Sequence, residues 1–500
     1  MQIINPVIWA DYPDPDLIRV GDAYYMVSTT MFFMPGGPIL KSYDLVHWEI
    51  VSYIFDKIEG YETNVGAGYG RGQWATSLRE YHGKFYAFFT CLDLKKTFLY
   101  CTDDIERSGW DRIDFDGMYH DASLLFVEDR GYLFYQKGGA GDVWLAEWKE
   151  DMSGFVPGSD RMIFSPPSEG MALRCEGCRG LYKDGYIYLF FIDIPKGGGR
   201  REWVYRAKDV DGPYESRLIA DSTCDMWNIG VAQGMPIDTP EGDWYMILFG
   251  DCGSVGRLPF LFPLSWEDGW PVVGGGAGMR RDYDLPLRDA GRKPMIYSDD
   301  FNRAENTLPF FWQWNHTPDD SLWSLTERAG WLRLQASPAA ELMTAKNTLT
   351  QRTCGPTCSF TVELDVSALA PGGRAGLAAL QWDCAMVGVR GNADGSRSLF
   401  TARREEGDPR MGPATAQTDR WEAPLAADTL TLRADFDFRQ GIDTVQFSYR
   451  LPDGEWLPCG EPMVTHFNLR YFCGTRAALF CYGAGQADFR NFTAEQEIWN

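Results

Sequence analysis

One pattern recurs along the first half of this chain and limits what it can fold into. A lead residue, a short apolar strand, a tight turn carrying glycine and an aromatic strand follow one another from Asp14 to Gly21 and Tyr24-Tyr25. The pattern returns from Ala75 to Gly83 and Phe85-Tyr86, from Asp121 to Gly131 and Tyr132, from Glu176 to Gly185 and Tyr186, and from Gln233 to Gly242 and Trp244-Tyr245. Successive starts lie 46 to 61 residues apart. Glycine supplies the positive φ of a hairpin turn, and the aromatic run after it suits a half-buried strand. Runs such as Pro38–Ser42 and Asp44–Trp48 add further strands to each unit. A period near 50 residues with about four strands per unit is the signature of a propeller blade. The expectation is an all-β chain opening with a five-bladed β-propeller over residues 1–290. A sandwich of hairpins would also supply short strands, but not five matching openings.

Equivalent positions of successive blades lie around one axis. If the lead residue sits at the mouth of each innermost strand, Asp14, Asp121 and Glu176 converge on one pocket. A single acid at such a place reads as a turn cap. Three in register repel one another, so structure alone gives little reason to put them there. Two carboxylates across a sugar can hydrolyse a glycosidic bond, one ionised as base or nucleophile and one protonated as acid. A third carboxylate beside the acid favours the protonated form by like-charge repulsion. The 19 tryptophans and the 15% aromatic content fit this, since sugar rings stack on such faces. Strands also use aromatics for ordinary packing, so composition alone does not decide.

A net charge of −23, with no basic run, excludes nucleic acid and an anionic membrane surface as partners. A homo-oligomer is compatible with such a surface. No apolar run is long enough to span a membrane. Met1-Gln2-Ile3-Ile4-Asn5-Pro6 has neither a charged n-region nor an apolar h-region. The 12 cysteines then read as reduced thiols, and the expected location is cytoplasmic. Cys175/Cys178 and Cys354/Cys358 have metal-like spacings. Neither has a second Cys/His pair nearby and only five histidines are present, so no structural zinc is expected.

Asn5-Pro6 with Pro13-Asp14-Pro15-Asp16, His120-Asp121-Ala122-Ser123-Leu124, and Cys175-Glu176-Gly177 resemble the signature segments of glycoside hydrolase family 43. So does the stretch from Gln233-Gly234 to Trp244-Tyr245, leading to Arg257 and to Asp268-Gly269-Trp270-Pro271. The resemblance runs in order over the whole propeller. It implies an inverting exo-glycosidase that releases terminal β-D-xylose, α-L-arabinofuranose or both from xylan-derived oligosaccharides. Asp14 would be the base activating water and Glu176 the acid protonating the leaving oxygen. Asp121 would tune Glu176 and orient the sugar. Trp74 would wall the sugar site, Arg257 would donate to sugar hydroxyls, and Phe32 or Phe33 would match a further aromatic of the site.

The chain departs from the family pattern in places. Ala232 stands where many members have a histidine near a metal ion on the axis. No cofactor is therefore required, and a calcium or other axial cation would need other ligands. Trp74-Ala75-Thr76 replaces Trp-Ala-Pro, and Cys178-Arg179-Gly180 follows Glu176-Gly177 where Pro-His is common. Two other readings stay open: a non-catalytic sugar-binding propeller, and a retaining fructosidase-like hydrolase. Asp14-Pro15-Asp16 does not look like the Asn-Asp-Pro-Asn motif of the latter.

Residues 280–296 are charged and bear prolines, as a linker does. Beyond them Trp331–Gln335, Ser359–Asp365, Thr429–Arg433 and Thr444–Tyr449 alternate with period two, which reads as an antiparallel sandwich. Asp299-Asp300-Phe301, Trp312–His316 and Ser324–Glu327 resemble the concanavalin-A-like jelly-roll sandwich appended to β-xylosidases of the family. The expectation is a second domain, residues 297–500, packed on the propeller and lending a loop to the active-site rim. The alternative is a separable carbohydrate-binding module.

Overall fold

The computed structural model describes residues 1–60, 68–406, 414–440 and 442–497. Among them the regular structure is all strand apart from two single-turn 3-10 helices, Gly253–Val255 and Leu342–Thr344. Five four-stranded antiparallel sheets follow in order. Their innermost strands are Asp16–Val20, Ser77–Tyr81, Tyr119–Val127, Met171–Lys183 and Ala232–Asp238. Each innermost strand packs on the next and the fifth returns to the first, so the sheets close into the expected propeller. Four of the five repeated glycines occupy the tight turns after these strands, Gly21, Gly83, Gly185 and Gly242 all having positive φ; Gly131 lies instead inside the strand Arg130–Lys137, and Glu128 takes the positive φ of that turn.

The N-terminal segment closes the ring. Gln2–Ile4 pairs with Asp282–Asp284, and the Asn5 side chain both donates to Leu261 O at 2.9 Å and accepts from Leu261 N at 2.8 Å. That side chain thus completes a backbone pair on the third strand of blade five, whose groups would otherwise be buried without partners.

The second half forms two facing eight-stranded sheets, as the alternating runs require. One of them does not respect the domain boundary. Its edge strand is Phe33–Met34, which leaves the first blade and pairs with Gln313–Asn315, setting Trp314 opposite Met34 and Asn315 opposite Phe33. A continuous apolar core crosses the junction, joining Ile8, Trp48 and Phe260 of the propeller to Phe301, Leu349 and Leu377 of the sandwich. Buried polar contacts cross it too. Arg352 Nε donates to Asp11 O at 2.9 Å, Asn315 Nδ2 to Tyr69 OH at 2.8 Å, and Gln313 Nε2 to Pro35 O at 2.6 Å. Domains joined only by a small polar patch move independently; an apolar junction with a shared sheet makes one body. The sandwich is therefore an integral part of the molecule rather than a tethered module.

Candidate active site

The mouth of the propeller is shaped by irregular backbone. Asp14, Asp121 and Gln233, lead residues of blades one, three and five, have φ of 54°, 43° and 65°. Ladder registers shift between His120 and Ser123, around Glu176, and between Ala232 and Gly234. Such bulges re-aim side chains that strict alternation would send to opposite faces. They explain how neighbours His120 and Asp121 can serve one pocket. Gly177 is tied to its residue type: its φ is 74°, and a Cβ there would lie 2.8 Å from Gln233 Cδ.

Asp14 is buried, with Oδ2 accepting from Thr29 Oγ1 at 2.8 Å and Oδ1 facing Arg257 Nη1 at 3.4 Å. Burial raises its carboxyl above the ordinary value; Arg257 opposes this and Asp121 adds to it. Asp121 is equally buried, and its Oδ2 accepts from Gly177 N at 2.9 Å, so the third blade holds the backbone of the fourth beside Glu176. Burial raises Asp121 as well, His120 opposes and Glu176 adds. Glu176 is the more open of the three, its side chain 25% exposed against 6% for Asp121. That suits a group that must reach a leaving-group oxygen.

His120 stands between the last two acids. Its Nε2 lies 3.4 Å from Glu176 Oε2 and 3.6 Å from Asp121 Oδ2. Burial works against its charge, but Asp121, Glu176 and Asp14 outweigh this and push it up to about 9. The three acids thus favour its charged form, which offsets the repulsion they would otherwise suffer. The ligand atoms of His120, Asp121 and Glu176 lie within 4.8 Å of one another, as do those of Asp44, His47 and Asp289 on the first blade and the linker. Asp44 is already committed: it accepts from the Val46, His47 and Ala290 amides and from the His47 ring.

An axial cation would have to be held without a ligand from position 232. Ala232 is fully buried and offers no ligand atom. The acid beside it, Glu202, accepts from Gln233 N at 2.6 Å and lies in the field of Arg179 and Arg200.

Trp74 and Arg257 both reach the site. The Trp74 ring lies 5.6 Å from His120 and 5.5 Å from Phe472, and its buried indole N–H has no hydrogen-bond partner among the described residues. Arg257 Nε donates to Asp251 Oδ1 at 3.0 Å. Its guanidinium carbon is 4.2 Å from the Phe472 ring and 5.7 Å from that of Phe467. Both phenylalanines come from the sandwich, which does lend a loop to the rim.

Phe32 and Phe33 correct the expectation. Both are fully buried, so neither presents a face to a sugar. Phe32 stacks on His316 at 4.9 Å, and the Phe33 ring lies 4.0 Å from the Arg476 guanidinium carbon. The physical reason is the strand Phe33–Met34: once it joins the sandwich sheet, these rings belong to the domain junction.

The motifs contain His120 and Arg179 without assigning either a part, and nothing in the sequence points to Phe467 or Phe472. Arg179 is fully buried and donates to Asp14 O at 2.7 Å and Pro15 O at 3.2 Å, holding the backbone that carries Asp14. The one available signal was its place in blade four, three residues after Glu176.

Residues 3–271 match the model of glycosyl hydrolases family 43, and residues 298–495 that of the beta xylosidase C-terminal concanavalin A-like domain. A putative beta-xylosidase of Xylanibacter ruminicola is 32% identical over 374 residues, covering 71% of this chain and 67% of that protein. A non-reducing end alpha-L-arabinofuranosidase of Bacteroides ovatus is 29% identical over 355 residues, covering 67% and 65%. The solved structure of a protein of Bacteroides eggerthii described as bifunctional GH43-CE superposes with a TM-score of 0.91 at 39% identity, over 99% of this chain and 64% of that one. The chain thus spans somewhat less than two thirds of that bifunctional protein. With the propeller closed, its acids in register and the sandwich fused to it, the chain belongs to glycosyl hydrolases family 43.

Proposed function

We propose that this glycoside hydrolase is an inverting exo-glycosidase that removes terminal β-D-xylose, α-L-arabinofuranose or both from xylan-derived oligosaccharides. The observation that carries the reading is the convergence of Asp14, Asp121 and Glu176 from three blades onto one mouth that also holds two cations, Arg257 at Asp14 and His120 at the other two acids. Asp14 takes a proton from water as the water attacks the anomeric carbon. Glu176, the most open of the three acids, gives a proton to the departing glycosidic oxygen. Asp121 acts on Glu176 through Gly177 and His120 rather than on the reacting atoms. Arg257 donates to sugar hydroxyls, and the unpartnered Trp74 N–H offers one more donor to the ring it walls. Phe467 and Phe472 close one side of the mouth, which favours release of a single terminal residue over cleavage within a chain. Two relatives, described as a putative beta-xylosidase and a non-reducing end alpha-L-arabinofuranosidase, support the same pair of substrates.

The test is NMR of the sugar first released from p-nitrophenyl β-D-xyloside and p-nitrophenyl α-L-arabinofuranoside. Inversion of the anomeric centre is the expected result. Retention would turn the reading toward a covalent mechanism like that of the fructosidases, and no turnover of either glycoside would remove the substrate assignment.

A further inference from the structure

Asp11 lies outside the catalytic acids, yet three parts of the molecule meet on it. It is buried, three residues before Asp14 and just ahead of the first blade. Its Oδ1 accepts from the backbone N of Arg257, in blade five, at 2.9 Å. Its Oδ2 accepts from the backbone N of Gly474, in the sandwich, at 2.8 Å. Its carbonyl accepts from Arg352 Nε, also in the sandwich, at 2.9 Å. The fit allows no side chain around it: a Cβ on Gly256 would lie 2.3 Å from Asp11 Oδ1, and one on Gly474 would lie 2.8 Å from Asp11 Cβ and 2.1 Å from Val255 O.

The two amides are not arbitrary ones. Arg257 carries the guanidinium that faces Asp14, and Gly474 follows Phe472 by two residues, whose ring covers that same guanidinium. One carboxylate therefore fixes the roots of both partners of a cation–π contact over Asp14. A backbone bond continues the seam, from Thr475 N to Ser254 O at 2.8 Å. A buried carboxylate with two backbone donors is a strong anchor, because an amide buried without its acceptor is costly.

We propose that Asp11 is a positioning residue for the sugar pocket, holding the sandwich loop that bears Phe472 in register with Arg257 and so making domain docking and substrate recognition one event. The inference rests on the glycosidase reading for its kinetic consequence, but its structural half stands alone. Asn at this position keeps the size and loses the function: its NH2 must face one of the two amide donors.

Two measurements decide the matter. In the wild-type full chain, amide hydrogen exchange at Arg257 and Gly474 reports whether one carboxylate bridges them. Opening of the seam exposes both at once, so their protection factors agree within about tenfold. A Gly474 amide exchanging hundreds of times faster than that of Arg257 would overturn the proposal without any variant being made. In Asp11→Asn, both amides lose protection and KM for the aryl glycoside that the wild type cleaves rises about tenfold, while kcat changes by less than about threefold. Gly474→Ala, which attacks the seam from the sandwich side, raises KM in the same direction, and the double variant is no worse than the poorer single one. Lowered melting temperatures with wild-type KM per folded molecule would make Asp11 merely structural and sink the proposal. If the wild type cleaves neither test glycoside, the substrate reading fails, and the exchange comparison still judges Asp11.

Discussion

Asp14 and Asp16 are two residues apart on the same strand approach, and they meet opposite fates. Asp16 is fully buried with a partner for each oxygen: Leu17 N at 3.0 Å on Oδ1, and Leu78 N at 2.9 Å and Arg79 Nη1 at 2.8 Å on Oδ2. Arg79 goes on to Ser123 Oγ and Gly180 O, so this inner layer stitches blades one to four into a closed polar network. One layer nearer solvent, Asp14 has one hydroxyl donor and a longer contact to Arg257, and it feels the charge of Asp121. A carboxylate held by three short donors of its own fold, one of them a guanidinium, is committed to structure. One held by few donors, with its proton affinity raised, is poised to accept a proton from something else.

Substitution should separate the two sharply. Asp14→Asn is expected to lower kcat by about 10²–10⁴-fold, the range for a lost general base, with sugar binding retained. Its melting temperature should not fall. The folded Asp14 carboxyl holds its proton more tightly than its ordinary 3.8, so ionising it costs stability as pH rises past that range, and Asn removes this cost. A kcat within tenfold of wild type would take Asp14 out of the base role and dissolve the contrast.

Asp16→Ala should do the reverse. It leaves Arg79 buried without its counter-ion, a loss of about 3–5 kcal/mol in urea or thermal unfolding. The molecules that remain folded should turn over within about a hundredfold of wild type, since only the backbone beneath the site has moved. An Asp16 variant that melts normally but is catalytically dead would mean that the two layers are not distinct.

The pH profile sharpens the comparison further. The base must be ionised, so kcat/KM rises with pH through a limb set by Asp14, and that limb should lie above 3.8. Asp121 raises Asp14 through its charge, so Asp121→Asn should shift the acid limb to lower pH. A limb that stays put would show that Asp121 acts only on Glu176.

The blades and the three acids were legible because each depends on local chemistry repeated at a fixed period: a glycine where the turn needs positive φ, and a lead residue in the same register of each inner strand. His120 was not. Alternation assigns the neighbour of Asp121 to the opposite face, and only the bulge between His120 and Ser123 turns both to one side. Phe32 and Phe33 failed for a non-local reason. Nothing in their surroundings says that Phe33–Met34 will leave its blade to pair with Trp314 and Asn315 of the sandwich. Phe472 was out of reach for the same cause, since its partner Arg257 lies in another domain and is brought to it by Asp11 and Gly474.

The smallest expected effect comes from metal. Calcium prefers several oxygen ligands, negatively charged and free to approach. Near Ala232 stands the carboxyl of Glu202, and burial pushes it up to about 8 despite its bond from Gln233 N and the nearby Arg179 and Arg200. At neutral pH it is mostly protonated, and two guanidinium groups stand against any added cation. Dialysis against a chelator should therefore leave kcat/KM unchanged, and millimolar calcium should move the unfolding free energy by less than about 1 kcal/mol. A calcium-dependent rise in melting temperature that vanishes in Glu202→Gln would show that Glu202 ionises to bind an ion. The axis would then hold a third kind of acid, neither saturated by the fold like Asp16 nor poised for substrate like Asp14.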